Sequence, residues 1–312
     1  GRSNAIHPDR LPPTPTVNAR LDLPRYTDPE HVAYDTNYYA PLSFDRPEPM
    51  NHIGEHTKVT DPIEGFSACH LAPAEWRLLG WLERECVPYD LYAETQLHSG
   101  ALDLDRYKVL ILSTHPEYWS REMFRRVKAW VGKRGGRLIY LGGGGINCEV
   151  EFDDPSTMIC KNGDRREIDR RGLESRFHLG KESEATLLGV GFTDAGIMTA
   201  APYRVIEGEH WVFEGTGLRT GDTFGERSLH MRCPGGASGH ETDKILPSSP
   251  PNVLLLAEGL NPEQGGAHMV YYETPGGGAV FSTGSIAYPS SLLVDEGASM
   301  ITANVIRRLM TS

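Results

Sequence analysis

The stretch from Lys108 to Ser113 constrains the fold of this chain more than any other feature of its sequence. It reads Lys-Val-Leu-Ile-Leu-Ser, an apolar run of strand length with no polar residue inside it. A strand with one face in water alternates apolar and polar side chains, whereas a strand covered on both faces is apolar throughout. The run therefore predicts a strand that is buried on both faces in a parallel sheet with flanking helices.

The residues that follow predict a helix and a second buried strand. Ser120 can cap the N-terminus of the helix, and Gly135 with Gly136 should end it. The apolar residues expected to form its buried stripe are Met123, Phe124, Val127, Trp130 and Val131. Arg137–Leu141 is then predicted to be another buried strand, which ends at the glycine run Gly142–Gly145. This order is typical of a βαβ unit with a right-handed crossover.

Other elements predicted from periodicity flank this unit. Ala74–Cys86 and residues at about 298–310 have the apolar spacing of helices. Short strands separated by glycine and proline are predicted at Val87–Tyr92, Tyr203–Ile206, Trp211–Phe213, Val253–Ala257, Met269–Glu273 and Ala279–Ser282. Residues 1–30 are rich in proline and predict an extended arm. Residues 31–312 are expected to form one α/β domain with a mostly parallel sheet, flanking helices and a β-rich insertion at about 150–250.

Composition and charge limit the classes of function. The formal net charge of −11 argues against a phosphate-backbone binder, which needs clustered Lys and Arg, so nucleic acid is not an expected partner. No apolar run approaches the roughly 18–20 residues that span a bilayer, and no signal-peptide pattern opens the sequence, so a cytoplasmic protein without membrane contact is expected. The five cysteines are Cys69, Cys86, Cys148, Cys160 and Cys233. Their spacing predicts neither a disulfide framework nor a thiolate zinc site, and most should be small buried hydrophobic residues.

The segment directly after the strongest strand carries side chains that could do chemistry. Ligands bind open parallel sheets at the carboxyl ends of the strands, where loops and helix N-termini meet. His115, Glu117 and Tyr118 put an imidazole, a carboxylate and a phenol at that edge. Glu117 could ligate a metal or act as a general base, and His115 could move a proton or orient a carbonyl. The alternative is structural: Glu117 would cap the following helix while His115 and Trp119 pack.

Three further segments carry functional candidates beside structural alternatives. Gly142–Gly145 could cradle an anion with its N–H groups, although close backbone approach beside a neighbouring site is the favoured interpretation. Tyr34–Tyr39 is dense in hard oxygen donors that suit ferric iron, although such clusters more often pack than ligate. Glu241 stands in the glycine-rich stretch Gly235–Lys244, which could deliver its carboxylate into a cleft or leave it in solvent.

Nucleophilic catalysis by a side chain has little support in the sequence. There is no GxSxG nucleophile elbow. Where an amidotransferase-like version of this fold would present a cysteine after a strand, this chain has His115-Pro116-Glu117. A bound water is therefore the expected nucleophile.

Seven short segments, in order along roughly residues 30–310, carry a resemblance to a known family. They are Tyr34-Asp-Thr, Ser113-Thr-His-Pro-Glu-Tyr-Trp-Ser120, Gly135-Gly-Arg-Leu-Ile-Tyr-Leu-Gly-Gly143, Gly189-Val-Gly-Phe-Thr193, Trp211-Val-Phe-Glu-Gly215, Gly236-Ala-Ser-Gly-His-Glu-Thr-Asp243 and Gly277-Gly-Ala-Val-Phe-Ser-Thr-Gly-Ser-Ile286. They resemble the C-terminal catalytic region of the N,N-dimethylformamidase large (beta) subunit family. The resemblance implies a fold like that of class I glutamine amidotransferases and flavodoxins, and hydrolysis of a small N-alkylated formamide with a mononuclear non-haem iron.

The resemblance also implies site residues at the matching positions. The iron ligands would be Glu117, Tyr34 and a second tyrosine, for which this chain offers Tyr38 or Tyr26. The implied catalytic side chains are His115, Glu241, Asn147 and Lys161. Gly144 stands where the family has asparagine, and Asn147 lies close to it in sequence. The residues expected to line the substrate pocket are Phe281, Tyr118 and Gly144, with Trp119 and Tyr288 as aromatic neighbours.

The leading hypothesis is an iron-dependent amidohydrolase that cleaves an N,N-dimethylformamide-like amide to an amine and a carboxylate. Iron would polarise the carbonyl, and Glu241 or His115 would activate water. A small partner subunit and homo-oligomer formation belong to this expectation. The alternatives are a non-catalytic binding or assembly domain on the same fold, or a hydrolase of a larger amide or sugar-like substrate. For the iron site, Glu117 is predicted to lie within about 6 Å of a Tyr34 or Tyr38 hydroxyl.

Overall fold

A computed structural model of the protein describes residues 42–43, 72–160, 176–180 and 182–311. The α-helices are α1 (Ala72–Arg84), α2 (Glu94–Ser99), α3 (Arg121–Arg134), α4 (Ala185–Leu188) and α5 (Glu296–Thr311). Short 3-10 helices lie at Leu104–Arg106, Phe177–Leu179, Trp211–Phe213 and Tyr288–Ser291. The strands are β1 (Leu42–Ser43), β2 (Val109–Thr114), β3 (Tyr118–Ser120), β4 (Arg137–Gly142), β5 (Cys148–Asp154), β6 (Thr157–Cys160), β7 (Gly191–Thr193), β8 (Ala200–Ala201), β9 (Tyr203–Val205), β10 (Thr223–Phe224), β11 (Ser238–Gly239), β12 (Thr242–Lys244), β13 (Leu254–Gly259), β14 (His268–Glu273) and β15 (Ala279–Ser282).

The two buried strands predicted from the sequence, β2 and β4, are parallel neighbours along their full length, and α3 connects them along the chain. Ser120 caps α3, because its hydroxyl accepts the N–H of Met123 at 3.2 Å. Gly135 ends the helix in the left-handed conformation, with φ of +73°. All five residues of the predicted stripe are buried. The predicted helix, its cap, its glycine stop and the two strands on either side of it are confirmed. β2 lies at the edge of the seven-stranded sheet and is only partly buried, whereas β4 is buried along most of its length.

The prediction of a mostly parallel sheet, like that of flavodoxins or class I glutamine amidotransferases, is wrong. The main sheet has seven strands in the order β10-β9-β13-β14-β15-β4-β2. In this sheet β15 with β4 and β4 with β2 run parallel, and the other four neighbouring pairs are antiparallel. The reason lies in the connections. A parallel crossover needs about a dozen residues or more, whereas β14 reaches β15 through the short turn Thr274–Gly278.

A smaller mixed sheet lies beside the first, with the strand order β1-β6-β5-β3. In it β3 runs parallel to β5, so the chain that leaves β2 stays beside the chain that leaves β4. Two short antiparallel pairs, β11 with β8 and β12 with β7, complete the described sheets. β9 and β10 fall in the segment expected to be an insertion, and they extend the main sheet.

Side chains of β4 alternate between two hydrophobic clusters. Ile139 and Leu141 belong to the cluster that contains side chains of α1 and α5, whereas Leu138 and Tyr140 belong to the cluster that contains those of α3. Each fully buried aliphatic side chain of this kind stabilises the fold by roughly 1.5–3 kcal/mol. The centre of the main sheet is thus covered on both faces, as the apolar runs predicted.

Two of the short strand predictions are wrong. Val87–Tyr92 has no regular hydrogen-bonded structure, and Trp211–Phe213 forms a 3-10 helix. Val212 and Phe213 are nevertheless buried and join the core. Aromatic and β-branched residues favour any surface on which they pack, so a short apolar triplet does not distinguish a strand from a buried turn.

The described residues also bear on the expectations from composition. Cys148 and Cys233 are buried, and Cys86 is exposed. Cys69 lies outside the described residues. Across the described ranges, no helix combines the length and the apolar character needed to cross a bilayer.

Candidate active site

The parallel register of β2 and β4 brings two loops together at the carboxyl ends of these strands. The loop His115–Glu117 follows β2, and the run Gly142–Gly145 begins at the last residue of β4. A Cβ atom at Gly142 would lie 2.5 Å from the carbonyl oxygen of Thr114, so only glycine permits this approach. The N–H of Ile146 then donates to the carbonyl of Pro116 at 2.7 Å. The two loops therefore form one continuous wall.

Both ring nitrogens of His115 lie against oxygen atoms. Nδ1 is 3.0 Å from the carbonyl oxygen of Gly143, and Nε2 is 3.0 Å from Oε2 of Glu117. A carbonyl oxygen only accepts, so Nδ1 carries a proton, and an ionised Glu117 requires a second proton on Nε2. Burial alone would lower the pKa of His115, but the hydrogen bond and charge of Glu117, the charge of Glu241 and the Gly143 carbonyl raise that pKa to about 9. These surroundings favour an imidazolium at neutral pH.

Glu241 enters the same site from a distant part of the chain. Its Oε2 lies 3.9 Å from Nδ1 of His115. The backbone of Glu241 is held against the loop after β15, because the N–H of Ile286 donates to its carbonyl oxygen at 3.3 Å. The side chains of His115, Glu117 and Glu241 keep 7%, 13% and 16% of their surface exposed. Two carboxylates and an imidazole are thus withdrawn from bulk water but still reachable, which suits proton transfer to a bound molecule.

The glycine run after β4 does not form an open anion cradle, because its N–H groups donate into the protein. The acceptors for Gly143, Gly144 and Gly145 are Thr114 O (3.1 Å), Asp243 Oδ1 (2.9 Å) and the Tyr140 hydroxyl (2.8 Å). Gly144 has φ of +59°, and a Cβ atom there would lie 2.5 Å from Oε2 of Glu241. Close backbone approach, the interpretation favoured from the sequence, describes this turn. Gly144 borders the site through its lack of a side chain.

Two functional-site neighbours, Tyr140 and Asp243, were not among the candidates chosen from the sequence. Both are fully buried beneath the glycine turn, and the Tyr140 hydroxyl donates to Asp243 Oδ2 at 2.8 Å. Burial raises the pKa of Asp243 to about 7, and the hydrogen bonds from Gly144 and Tyr140 oppose this rise. The sequence signal available for Asp243 was its place at the end of one of the segments that carry the family resemblance. A tyrosine inside an apolar strand carries no comparable signal, because it most often packs in the core.

Asn147 lies beside Glu117 and keeps 9% of its surface exposed. The parallel register pairs Tyr118 with Cys148, so one residue earlier Asn147 is the neighbour of Glu117. The N–H of Cys148 donates to the carbonyl oxygen of Glu117 at 2.9 Å, which holds the two segments together at this point. The side-chain oxygen of Asn147 is buried without a hydrogen-bond partner among the residues that the structure describes. A buried amide of this kind is a candidate contact for a bound group.

The aromatic residues expected to enclose a substrate are divided between the two hydrophobic clusters. Phe281 and Tyr288 have no exposed surface and belong to the cluster with α1 and α5, while Trp119 belongs to the cluster with α3. Phe281 and Tyr288 therefore lie on the opposite face of the sheet from Trp119, and the role of these rings in a substrate pocket stays a prediction. Tyr118 is half-buried at the start of β3, directly after Glu117.

The remaining predicted site residues, Tyr34, Tyr38 with its alternative Tyr26, and Lys161, lie outside the described residues. The distance from Glu117 to a tyrosine hydroxyl therefore stays a prediction. Within the described ranges, no group of three or more His, Cys, Asp or Glu side chains is arranged to hold a metal ion. The chemistry of the predicted donors does fit ferric iron, because a carboxylate and two phenolates are hard anionic oxygen ligands.

Comparison with known proteins finds a family and two relatives that carry the same protein name. Residues 22–300 match the family described as N,N-dimethylformamidase beta subunit-like, C-terminal. The chain is 27% identical to the N,N-dimethylformamidase beta subunit of Alcaligenes sp and 26% identical to that of Paracoccus aminophilus, each over 298 residues. Those alignments cover 79% of this chain and 38% of each relative, so the chain spans well under half the length of the relatives.

A solved structure of a protein described as ThuA-like, from Bacteroides uniformis, aligns with 78% of this chain and 88% of its own. The sequence identity is 11%, and the TM-score is 0.43. The family match is more extensive, since residues 22–300 are most of the 312 residues. The chain therefore belongs to the N,N-dimethylformamidase beta subunit-like family, in its C-terminal region.

Proposed function

We propose that this site hydrolyses a small N-substituted amide such as N,N-dimethylformamide to an amine and a carboxylate. The observation that carries the proposal is the row of Glu117, His115 and Glu241, largely buried at the carboxyl ends of two parallel strands. These three side chains can activate a water molecule and transfer the protons that amide cleavage requires. The names of the two relatives support the choice of amide.

Glu241 is the general base in this proposal. Both nitrogens of His115 already face oxygen acceptors at 3.0 Å, so the ring is poorly placed to take a proton from water. The Glu241 carboxylate takes that proton while the water oxygen bonds to the carbonyl carbon. The C–N bond then breaks, and the carboxyl group returns the proton to the departing nitrogen. His115 stays protonated and balances the charge of the two carboxylates.

The predicted ligands Glu117, Tyr34 and Tyr38 would hold a mononuclear non-haem iron, which when bound polarises the amide carbonyl as a Lewis acid. His115 orients the Glu117 carboxylate by its hydrogen bond, and the Gly143 carbonyl fixes the ring from the other side. The buried amide of Asn147 is placed to contact the substrate or to orient Glu117. Lys161 stays a predicted catalytic residue.

The test measures amine release from N,N-dimethylformamide together with the iron content and visible spectrum of the purified protein. We expect turnover that is lost on verified iron removal and restored by iron, with a visible band from tyrosinate bound to ferric iron. Iodoacetamide should leave turnover unchanged, because no cysteine takes part. Activity that is lost to iodoacetamide but kept after iron removal would overturn the mechanism.

Assembly with other chains is part of the same proposal. The relatives are named beta subunits, which supports a second kind of subunit as a partner of this chain. Homo-oligomer formation is also expected. Light scattering of the purified chain, alone and after co-expression with a candidate small subunit, measures both associations.

A further inference from the structure

Two buried side chains, Tyr140 and Asp243, join the two halves of the candidate site. One half follows β2 and β4 and carries His115, while the other arrives with β12 and carries Glu241. Asp243 lies in β12, two residues after Glu241, and neither it nor Tyr140 has exposed surface. The Tyr140 hydroxyl donates to Asp243 Oδ2 at 2.8 Å. This hydrogen bond therefore links β4, the strand of the first half, directly to β12, the strand of the second half.

The pair also holds the turn that orients His115. The N–H of Gly144 donates to Asp243 Oδ1 at 2.9 Å, and the N–H of Gly145 donates to the Tyr140 hydroxyl at 2.8 Å. The N–H groups of two successive residues, Gly144 and Gly145, are thus both held by the buried pair. The preceding residue, Gly143, presents its carbonyl oxygen to His115 Nδ1 at 3.0 Å. The direction of that carbonyl follows from the way the turn is held.

The same aspartate fixes the chain that carries Glu241. The N–H of Asp243 donates to the carbonyl of Gly284 at 2.8 Å, and β12 pairs with β7 at this residue. The two halves of the site also touch at Gly143, since a Cβ atom there would lie 2.4 Å from the carbonyl oxygen of Glu241. A shift of Asp243 would therefore move the Glu241 backbone and the glycine turn relative to each other.

We propose that Tyr140 and Asp243 are positioning residues that set the separation between the Glu241 carboxylate and the His115 ring. They act through the glycine turn and through β12. Proton transfer depends steeply on this geometry, because a misplacement of about 1 Å can cost on the order of a hundredfold in rate. A purely structural buried pair would behave differently: its loss would lower stability and leave the geometry of the folded site unchanged.

The variants for the test are Tyr140→Phe, Asp243→Asn and their combination, with Tyr272→Phe as the matched control. Tyr272 is another buried strand tyrosine, and its hydroxyl donates to the carbonyl of Leu187, away from the turn. Asp243→Asn keeps the shape of the side chain and guards against a variant that fails to fold. The readouts on the full chain are kcat and KM for N,N-dimethylformamide, and exchange of the His115 Nδ1 proton by NMR with ring-labelled histidine.

In both single variants we expect the His115 ring proton to exchange faster and kcat to fall about tenfold to a hundredfold, with KM little changed. The combined variant should lose no more than the worse single variant, because the residues act as one unit. Tyr272→Phe should match the wild type in both readouts. The kcat readout rests on the proposed amidase function, whereas the exchange readout does not. If no amide is turned over, that function fails and exchange alone decides; unchanged exchange in both single variants overturns the positioning role.

Discussion

At the scale of single residues, the two carboxylates of the site differ in their contacts with His115. Glu117 Oε2 is hydrogen-bonded to Nε2 at 3.0 Å, whereas Glu241 Oε2 is 3.9 Å from Nδ1. Paired acids in different surroundings commonly divide their tasks. In the proposed reaction, Glu117 is a ligand that His115 orients, and Glu241 transfers protons.

Substitution of Glu241 by Gln tests this division. The amide keeps the size of the side chain but cannot accept a proton, so turnover should fall about 10²-fold to 10⁴-fold. Iron content and the visible spectrum should stay at wild-type values in Glu241→Gln, and iron should be lost in Glu117→Gln. The exposed Glu209→Gln serves as the control. Loss of iron from Glu241→Gln would make Glu241 a ligand and remove it as the base.

Gly144→Ala tests the close approach beside the site. Its new Cβ would lie 2.5 Å from Glu241 Oε2 and 2.9 Å from His115 Cε1, at φ of +59°. Gly217→Ala is a matched control, since Gly217 has φ of +75° and nothing within 4 Å of the built Cβ. Thermal unfolding should show a loss of roughly 1–2 kcal/mol in both variants, from the left-handed backbone. Turnover should fall in Gly144→Ala alone; an equal effect of both variants on turnover would argue against the contact.

The sequence made part of this site predictable at the residue scale. His115 and Glu117 were recognisable because they directly follow a strand that is apolar throughout, and the carboxyl ends of such strands collect functional groups. Glu241 was a candidate because of its glycine-rich stretch, and the resemblance implied its active-site role, but its distance in sequence hid its place beside His115. Tyr140 could not be chosen, because its polar contacts arise only when the glycine turn folds back over its hydroxyl.

At the scale of elements, α3 begins directly after β3, and Ser120 caps the N-terminus of the helix. The Ser120 hydroxyl accepts the Met123 N–H at 3.2 Å and lies 2.8 Å from His98 Nδ1. We expect Ser120→Ala to lower the free energy of unfolding by about 1 kcal/mol, because a helix N–H loses its acceptor. Urea denaturation measures this loss. Ser99→Ala, at the exposed end of α2, is the control, and an equal midpoint for all three proteins would show that the cap contributes nothing.

Prediction of the elements succeeded where periodicity and caps agreed, and it failed for strand direction. α3 has an N-cap, an apolar stripe and a glycine stop, so three independent signals mark one helix. The inner residues of β14, Met269–Tyr272, and all of β15 are buried, as in parallel strands, because both faces of the sheet are covered. The signal for their antiparallel pairing was the short connection Thr274–Gly278, which has no room for a crossover. Burial fixed the composition of these strands, and connection length fixed their direction.

At the scale of the whole molecule, stability in acid depends on buried histidines as well as on carboxylates. His230 is almost completely buried, and its Nε2 lies 3.1 Å from Nδ1 of His240. Burial, with the charges of Arg77 and Arg232, lowers the pKa of His230 to about 3. An unfolded histidine has a pKa of about 6.5, so between these values the unfolded chain binds more protons than the native protein. Native stability must therefore decrease as the pH falls through this window.

The variant His230→Gln isolates this contribution, because glutamine stays neutral throughout. At about pH 8 the variant should be less stable than the wild type, since a buried ring is lost and a cavity remains. As the pH falls below about 6.5 the difference should shrink by up to roughly 1.4 kcal/mol per pH unit, because only the wild type loses the contribution of a neutral His230. Urea denaturation at a series of pH values measures both curves. Ser228→Ala, in the same segment, removes a hydroxyl that accepts the His230 N–H at 3.2 Å without removing a titrating group. Its curve should run parallel to that of the wild type; a parallel curve for His230→Gln as well would show that His230 does not titrate with folding.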